Sequence, residues 1–311
     1  MRILKLPLLL TIIFILGCGK EHISDNLDDG INIVLNDEII INHKDFDYYD
    51  YSSHLLYFKS DNPFAEYLND IGDFDVYANG TKIYGGKIIP ENRSDFIYMG
   101  PTIQPDNDYD DYILPVITYP TVHLNGDVST DPREDIKIVD ALKRYNQFHS
   151  GLTCDIKSIN SFSNKVALEL SIRNDDSFNY YYLDPEKMGV NLFHFYAGSP
   201  IILDTLSVIG GSNFGYGYNP TGSNGYFADI DIESPLYWNY WDIEWLSLIK
   251  SGETKSFILN YNIIKEISPG TYIAYFKFPG LNIQLSKEEI ELEDGRIWQG
   301  NVAILKKVTI E

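Results

Sequence analysis

Cysteine is scarce in this chain, with only Cys18 and Cys154 among 311 residues. A structural zinc site needs Cys or His at short spacing, and the six histidines, at positions 22, 43, 54, 123, 149 and 194, are scattered. Basic residues are also few, 24 Lys and Arg against 45 Asp and Glu, for a net charge of −21. Such a surface repels nucleic acid and anionic lipid, so nucleic acid is excluded as a partner. No Gly-x-Ser-x-Gly elbow is present. The glycine-rich stretch from Gly210 to Gly217 lacks the Lys-Ser/Thr pair and following helix of a phosphate loop. Long apolar runs are absent but for one, Leu6 to Leu16, and that falls short of the roughly 20 residues that span a bilayer. These absences leave no catalytic motif, no metal motif and no cofactor motif. The chain reads as non-enzymatic, with no cofactor expected.

What is present at the start is an export pattern. Arg2 and Lys5 precede the apolar run, and Ile15-Leu16-Gly17-Cys18 closes it. A charged start, a short apolar core and a small residue before the cut make a secretory signal. The last four residues resemble the lipobox of bacterial lipoproteins. The resemblance implies that residues 1–17 are removed and that Cys18 is diacylated as the first residue of the mature chain. Residues 18–30, polar and poor in apolar side chains, read as a flexible tether. Lys20-Glu21 resembles the charged tag of surface-displayed lipoproteins in some Gram-negative groups. The expected location is therefore the outer membrane, attached by lipid and facing outward, with the periplasmic face as the alternative. With Cys18 acylated, Cys154 has no disulfide partner and reads as a small buried residue. His149, the histidine nearest in sequence, stands before the Gly151 break.

Beyond the tether the chain reads as mainly β, in two β-sandwich-like domains joined by one amphipathic helix. Residues 31–130 form the first. Ile31 to Leu35 and Ile39 to Ile41 flank the turn pair Asn36-Asp37, and Asn79-Gly80 stands between Phe74–Tyr77 and Lys82–Tyr84. Asn-Gly between such runs is a strong hairpin signal. Further runs at 54–59, 96–99 and 112–117 bring the expected strands to six or seven, and Pro115 places the last at an edge or a bulge. Residues 131–151 hold the helix. Asp131, Pro132 and Glu134 make a capping arrangement, Ile136, Ile138, Val139, Leu142 and Tyr145 make its apolar face, and Gly151 is its stop.

Residues 152–311 form the second domain. Val166, Leu168, Leu170 and Ile172 alternate with Ala167, Glu169 and Ser171, one face in and one out. Phe257, Leu259 and Tyr261 repeat the pattern after Leu248-Ile249-Lys250-Ser251-Gly252-Glu253, and Tyr272 to Phe278 repeat it after Ile267-Ser268-Pro269-Gly270-Thr271. These two stretches resemble immunoglobulin-like and fibronectin type III-like sandwiches. The resemblance implies a fold and gives Tyr272 a corner hydrogen bond to upstream backbone; the antibody-type Cys…Trp…Cys framework is missing.

A long insertion, residues 199–247, interrupts this pattern. It carries Tyr237, Trp238, Trp241 and Trp245, and loops of such length are commonly functional. Two readings stand: the rings cap an open end of the core, or they bind a protein or a glycan. An acidic cluster at Asp106, Asp108, Asp110 and Asp111, with Asp45, Asp47 and Asp50, lacks the Gly and Glu spacing of an EF-hand and reads as a solvated loop or a looser calcium site. The expected function is a lipid-anchored surface binding or adhesion module for protein or glycan. The alternatives are a structural or assembly lipoprotein docking to an envelope complex and, behind it, a hydrolase. Because no second membrane attachment is written in the sequence, Cys18→Ala should move the protein from the membrane to the soluble fraction. Membrane retention of that variant, read by fractionation, would refute lipidation.

Overall fold

A computed structural model describes residues 27, 29–36, 38–60, 72–89, 100–104, 112–117, 130–198, 200–204, 225–237, 240–263 and 266–311. Cys18 and the signal, the strand expected at 96–99, the acidic residues 106–111, the stretch from Gly210 to Gly217 and Trp238 lie outside the described residues. The described chain is mainly β.

Asparagine and glycine turns set the first sheet. Its strands are β1 (Ile31–Leu35), β2 (Glu38–Asn42), β3 (Phe46–Asp50), β4 (Leu55–Phe58), β5 (Gly72–Ala78), β6 (Thr81–Ile88), β7 (Thr102–Ile103), β8 (Ile113–Ile117) and β9 (Phe148–His149). Their order is β2-β1-β5-β6-β7-β8-β4-β3-β9. Asn79 and Gly80 both take positive φ, 48° and 74°, the turn that matches strand twist in a two-residue hairpin. Strand β8 lies inside the sheet rather than at its edge. Pro115 is tolerated because β7 pairs only with Val116 and Ile117. On the other side the donors to and from β4 are Val116 N to His54 O and Phe58 N to Tyr112 O. The alternation turns the nitrogen of Pro115 away from β4, toward the side where β7 has already ended, so no ladder bond is lost.

The helix is shorter than the sequence implies. Asp131 caps a 3-10 turn at Pro132–Glu134, and α1 (Ile136–Arg144) starts after it, capped by the Asp135 side chain accepting from Lys137 N. Ile138, Val139, Ala141 and Leu142 are buried, but Ile136 faces solvent because it is the first residue of the true helix. The stop is Asn146 in the left-handed region (φ 55°), directly after the cap residue Tyr145. Residues beyond it return as β9, which adds to the first sheet in parallel beside β3. The 131–151 segment is thus built into the first sheet and its covering layer.

The second half contains β10 (Leu152–Phe162), β11 (Lys165–Asn174), β12 (Tyr180–Leu183), α2 (Pro185–Met188), α3 (Val190–Ala197), β13 (Ile201–Asp204), β14 (Gly225–Asp229), β15 (Leu246–Ile249), β16 (Thr254–Ile263), β17 (Gly270–Pro279), α4 (Lys287–Ile290), β18 (Glu291–Leu292), β19 (Gly295–Ile297) and β20 (Asn301–Ile310). A seven-stranded sheet runs β10-β11-β16-β14-β13-β17-β20, and a four-stranded sheet runs β15-β12-β19-β18. The large sheet curls until its outer strands meet: Lys306 Nζ on β20 donates to Asp155 Oδ1 (2.7 Å) and Ile156 O (2.8 Å) on β10. Val166, Leu168, Leu170 and Ile172 all point inward, as their alternation requires. The small sheet closes one end, where Tyr182 meets Phe257 and Phe278 at ring distances of 5.9 and 6.3 Å. The Tyr272 hydroxyl donates to Ser268 O at 2.6 Å, the corner bond expected of it. The 199–247 stretch is more than a loop, for β13 and β14 fall within it and pair with each other inside the large sheet.

One contiguous core of buried side chains runs through both halves, from Ile31 to Ile310. The seam between them centres on the turn after β3. Ser52 Oγ accepts from Leu152 N (3.1 Å) and from Trp298 Nε1 (3.2 Å), and donates to buried Asp50 (2.6 Å). Gly151 (φ 63°) faces this hydroxyl so closely that a Cβ would overlap Ser52 Oγ and Asp50 Oδ1. Asp176 accepts from Gly151 N (2.9 Å) and pairs with His149 Nδ1 (2.8 Å), while the His149 ring stacks on Phe178 at 3.9 Å. Lys287 Nζ reaches across to Phe58 O and Lys59 O.

Gly252 also has positive φ (77°), but nothing lies within 4 Å of its would-be Cβ. Gly252→Ala should therefore cost only the left-handed penalty, about 1 kcal/mol, whereas Gly151→Ala should cost at least about twice that. Urea midpoints measure both, and equal losses would refute the tight seam. Acid should loosen it too. Burial opposes the Asp176 charge, but the His149 and backbone hydrogen bonds prevail and hold its carboxyl down at about 2, against an ordinary 3.8. A depressed carboxylate contributes stability above its unfolded value and loses it as pH falls through the folded one. Stability should fall from about pH 4 to about pH 2, and Asp176→Asn should flatten that limb. An unchanged acid limb in the variant would sink this assignment.

Candidate binding surface

The insertion is hung on α3 by one backbone bond and one tyrosine hydroxyl. Asp184 caps α2, its side chain accepting from Glu186 N, and Gly189 (φ 77°) turns the chain directly into α3. Phe193, His194 and Ala197 anchor α3 in the core. From its other side Asn191 O accepts from Glu233 N (3.3 Å), and the Tyr196 hydroxyl donates to Tyr240 O (3.0 Å). Glu233 and Tyr240 are thereby tied to the helix. Asp242 caps the 3-10 turn Ile243–Trp245, its side chain accepting from Glu244 N.

This stretch exposes apolar side chains. Leu236 is 82% exposed, Tyr237 57%, Ile243 49% and Ile232 47%, and Phe195 on α3 is also exposed. Single exposed apolar residues are ordinary, but several on one short segment mark an interaction surface. Acidic groups stand among them: Asp231, Glu233 and Glu244 are exposed and Asp242 is half-buried. Trp241 and Trp245 are half-buried and pack on the core. Tyr240 meets Trp245 at 71° and Tyr237 at 77°, with centroids 5.4 and 5.3 Å apart. These three rings thus meet edge to face. The cluster divides by residue: Trp241 and Trp245 pack on the core, and Tyr237 with its aliphatic neighbours faces out.

The other candidates resolve plainly. His194 sits in the core with both nitrogens bonded, Nδ1 to Gly198 O (2.6 Å) and Nε2 to the Tyr261 hydroxyl (2.8 Å), and burial lowers its pKa to about 4. Cys154 is half-buried against the core rather than buried; desolvation pushes its thiol well above its ordinary value, with Asp155 adding to the effect, and His149 is spent on Asp176. Asp45, Asp47 and Asp50 are not gathered: Asp45 accepts from Asn42 N at one end of β3, and Asp50 holds Ser52 and Ser53 at the other. Inside the curled sheet an apolar cavity of about 20 Å³, lined by Ile156, Leu168, Ile202, Tyr261 and Phe276, has room for about one water.

One grouping was beyond sequence reasoning. His54, Asp131 and Glu134 are brought within reach of one another, though dozens of residues separate His54 from the two carboxylates. Motif spacing carries no trace of such a group; only the pairing of β4 with β8 and the 3-10 turn creates it. No protein-family model matches the chain, and no curated protein matches it. Among the described residues no helix is long and apolar enough to cross a membrane.

Trp241 supports the core, so Trp241→Ala should lower stability by about 2 kcal/mol. Leu236→Ala, with most of its side chain in water, should change it by less than about 0.5 kcal/mol. Thermal unfolding of the two variants tests this division, and equal losses would contradict it.

Proposed function

We propose that this chain is a non-enzymatic binding protein of a Gram-negative envelope, held by lipid on Cys18 and facing outward from the outer membrane. Its ligand is a protein, docked on the surface carried by residues 232–237 and 240–245. The observation that carries this reading is the exposure of Leu236, Tyr237, Ile232 and Ile243 on one segment pinned to α3. Their acidic neighbours select a partner whose apolar patch is rimmed by Lys or Arg. A glycan would be better served by coplanar, exposed rings, and the edge-to-face geometry of Tyr237, Tyr240 and Trp245 does not supply them. The Tyr272 corner bond supports the immunoglobulin-like or fibronectin-like reading of the second half, a scaffold that commonly displays binding loops at its ends. An assembly lipoprotein docked to an envelope complex would use the same surface, since its partner is also a protein.

The test is a photo-crosslinking residue placed at position 236 in the full chain on intact cells. A discrete crosslinked protein is expected, lost when Tyr237→Glu is added. Alanine at either position should weaken the isolated complex by on the order of tenfold. Binding to a glycan array that is abolished by Trp241→Ala, with no protein crosslink, would replace this reading with the glycan one. Complete protection of the chain from protease on intact cells would overturn the outward orientation.

A further inference from the structure

We infer that His54, Asp131 and Glu134 form a binding site for a divalent first-row transition cation, where the turn between β3 and β4 meets the 3-10 turn ahead of α1. A ring nitrogen of His54 and one carboxylate oxygen from each acid lie within 4.8 Å of one another. Ligand bonds of about 2.0–2.2 Å let one ion sit between atoms so spaced. His54 is only 7% exposed. Its Nδ1 is hydrogen-bonded to the Tyr49 hydroxyl at 2.5 Å, and its Nε2 has no hydrogen bond among the described residues. An oxygen partner on one ring nitrogen is what orients a metal-ligating histidine, leaving the other nitrogen for the ion.

The carboxylates complete the set. Asp131 is held by Arg133, whose Nε and Nη2 donate to its two oxygens, and Arg133 is itself anchored through Nη1 on Val116 O. The Glu134 carboxyl makes no hydrogen bond or ion pair among the described residues. Its carboxylate stands close to that of Asp131, and a bound cation would relieve the repulsion between the two. Two carboxylates against one guanidinium leave the site one negative charge before the ion enters. One nitrogen and two oxygens suit a first-row transition ion better than calcium, which takes oxygen ligands alone. The bound ion would tie the β3–β4 turn, which carries Ser52 and hence the seam, to the segment that starts α1.

Zinc titrated into the chelator-treated full chain in detergent tests the site, read by calorimetry and by thermal unfolding. One Zn²⁺ per chain is expected, with a rise in Tm. Glu134→Gln has no bond to lose and should keep the metal-free Tm while weakening zinc by at least about tenfold; His54→Asn should weaken zinc by as much or more. Calcium should bind both variants as it binds the parent. Absence of stoichiometric zinc binding would overturn the site. So would binding undiminished in Glu134→Gln, which would place the ion on other histidines. Should His54→Asn fail to fold, Glu134→Gln decides alone.

Discussion

The hydroxyl of Ser52 joins three parts of the molecule that are distant in sequence. It donates to the carboxylate of Asp50, and it accepts from Leu152 N at the head of the second half and from Trp298 Nε1 near its end. Asp50 is fully buried, and one of its oxygens also accepts from Ser52 N and Ser53 N. A buried carboxylate without such donors would cost several kcal/mol, so the turn has little freedom once the halves close around it. Backbone without side chains lets them close. Gly151 faces Ser52 and Asp50, and a Cβ at Gly300 would overlap Ser53. Around this point the seam is aromatic and charged together. The Arg296 guanidinium lies 4.6 Å from the Tyr48 ring and 4.2 Å from Phe178, a cation between π faces from the two halves.

Such a seam bears on function. With Tyr112 donating to Leu285 O and Lys287 bonding Phe58 O and Lys59 O, the two halves meet through hydrogen bonds as well as a shared core. In the proposed reading, the exposed residues Ile232, Leu236, Tyr237 and Ile243 are displayed from a half that is joined to the first sheet by this seam. A firmly held display suits capture of a partner, because little ordering entropy remains to be lost when the surface docks.

Much of the strand pattern was legible. Alternation from Val166 to Ile172 predicted an inward face, and all four apolar residues are buried. Asn79-Gly80 predicted its hairpin, and Tyr272 its corner bond, because both depend on chemistry within a few residues. The helix boundaries were misread for the same local reason. Asp131 and Asp135 are both competent caps, and Pro132 favours either start, so the choice fell to packing. The stop was misplaced because Asn146 can take the left-handed conformation that glycine takes more often. The insertion concealed β13 and β14, which are short, and the aromatic cluster divided by residue in a way that ring chemistry alone does not dictate.

By itself the sequence determined composition-level properties and local geometry: a strongly acidic chain, alternating strands, hairpin turns and an aromatic-rich segment in the second half. These follow from side-chain chemistry and short spacing, which act before the chain closes. The tertiary structure alone decided that Gly151 guards a seam rather than ending a helix, that Trp241 and Trp245 pack inward while Leu236 and Tyr237 face out, and that His54 lies beside Asp131 and Glu134. Each is a meeting of residues far apart in the chain. Sheet order and register set such meetings, and those are selected by how whole faces bury together rather than by any short stretch.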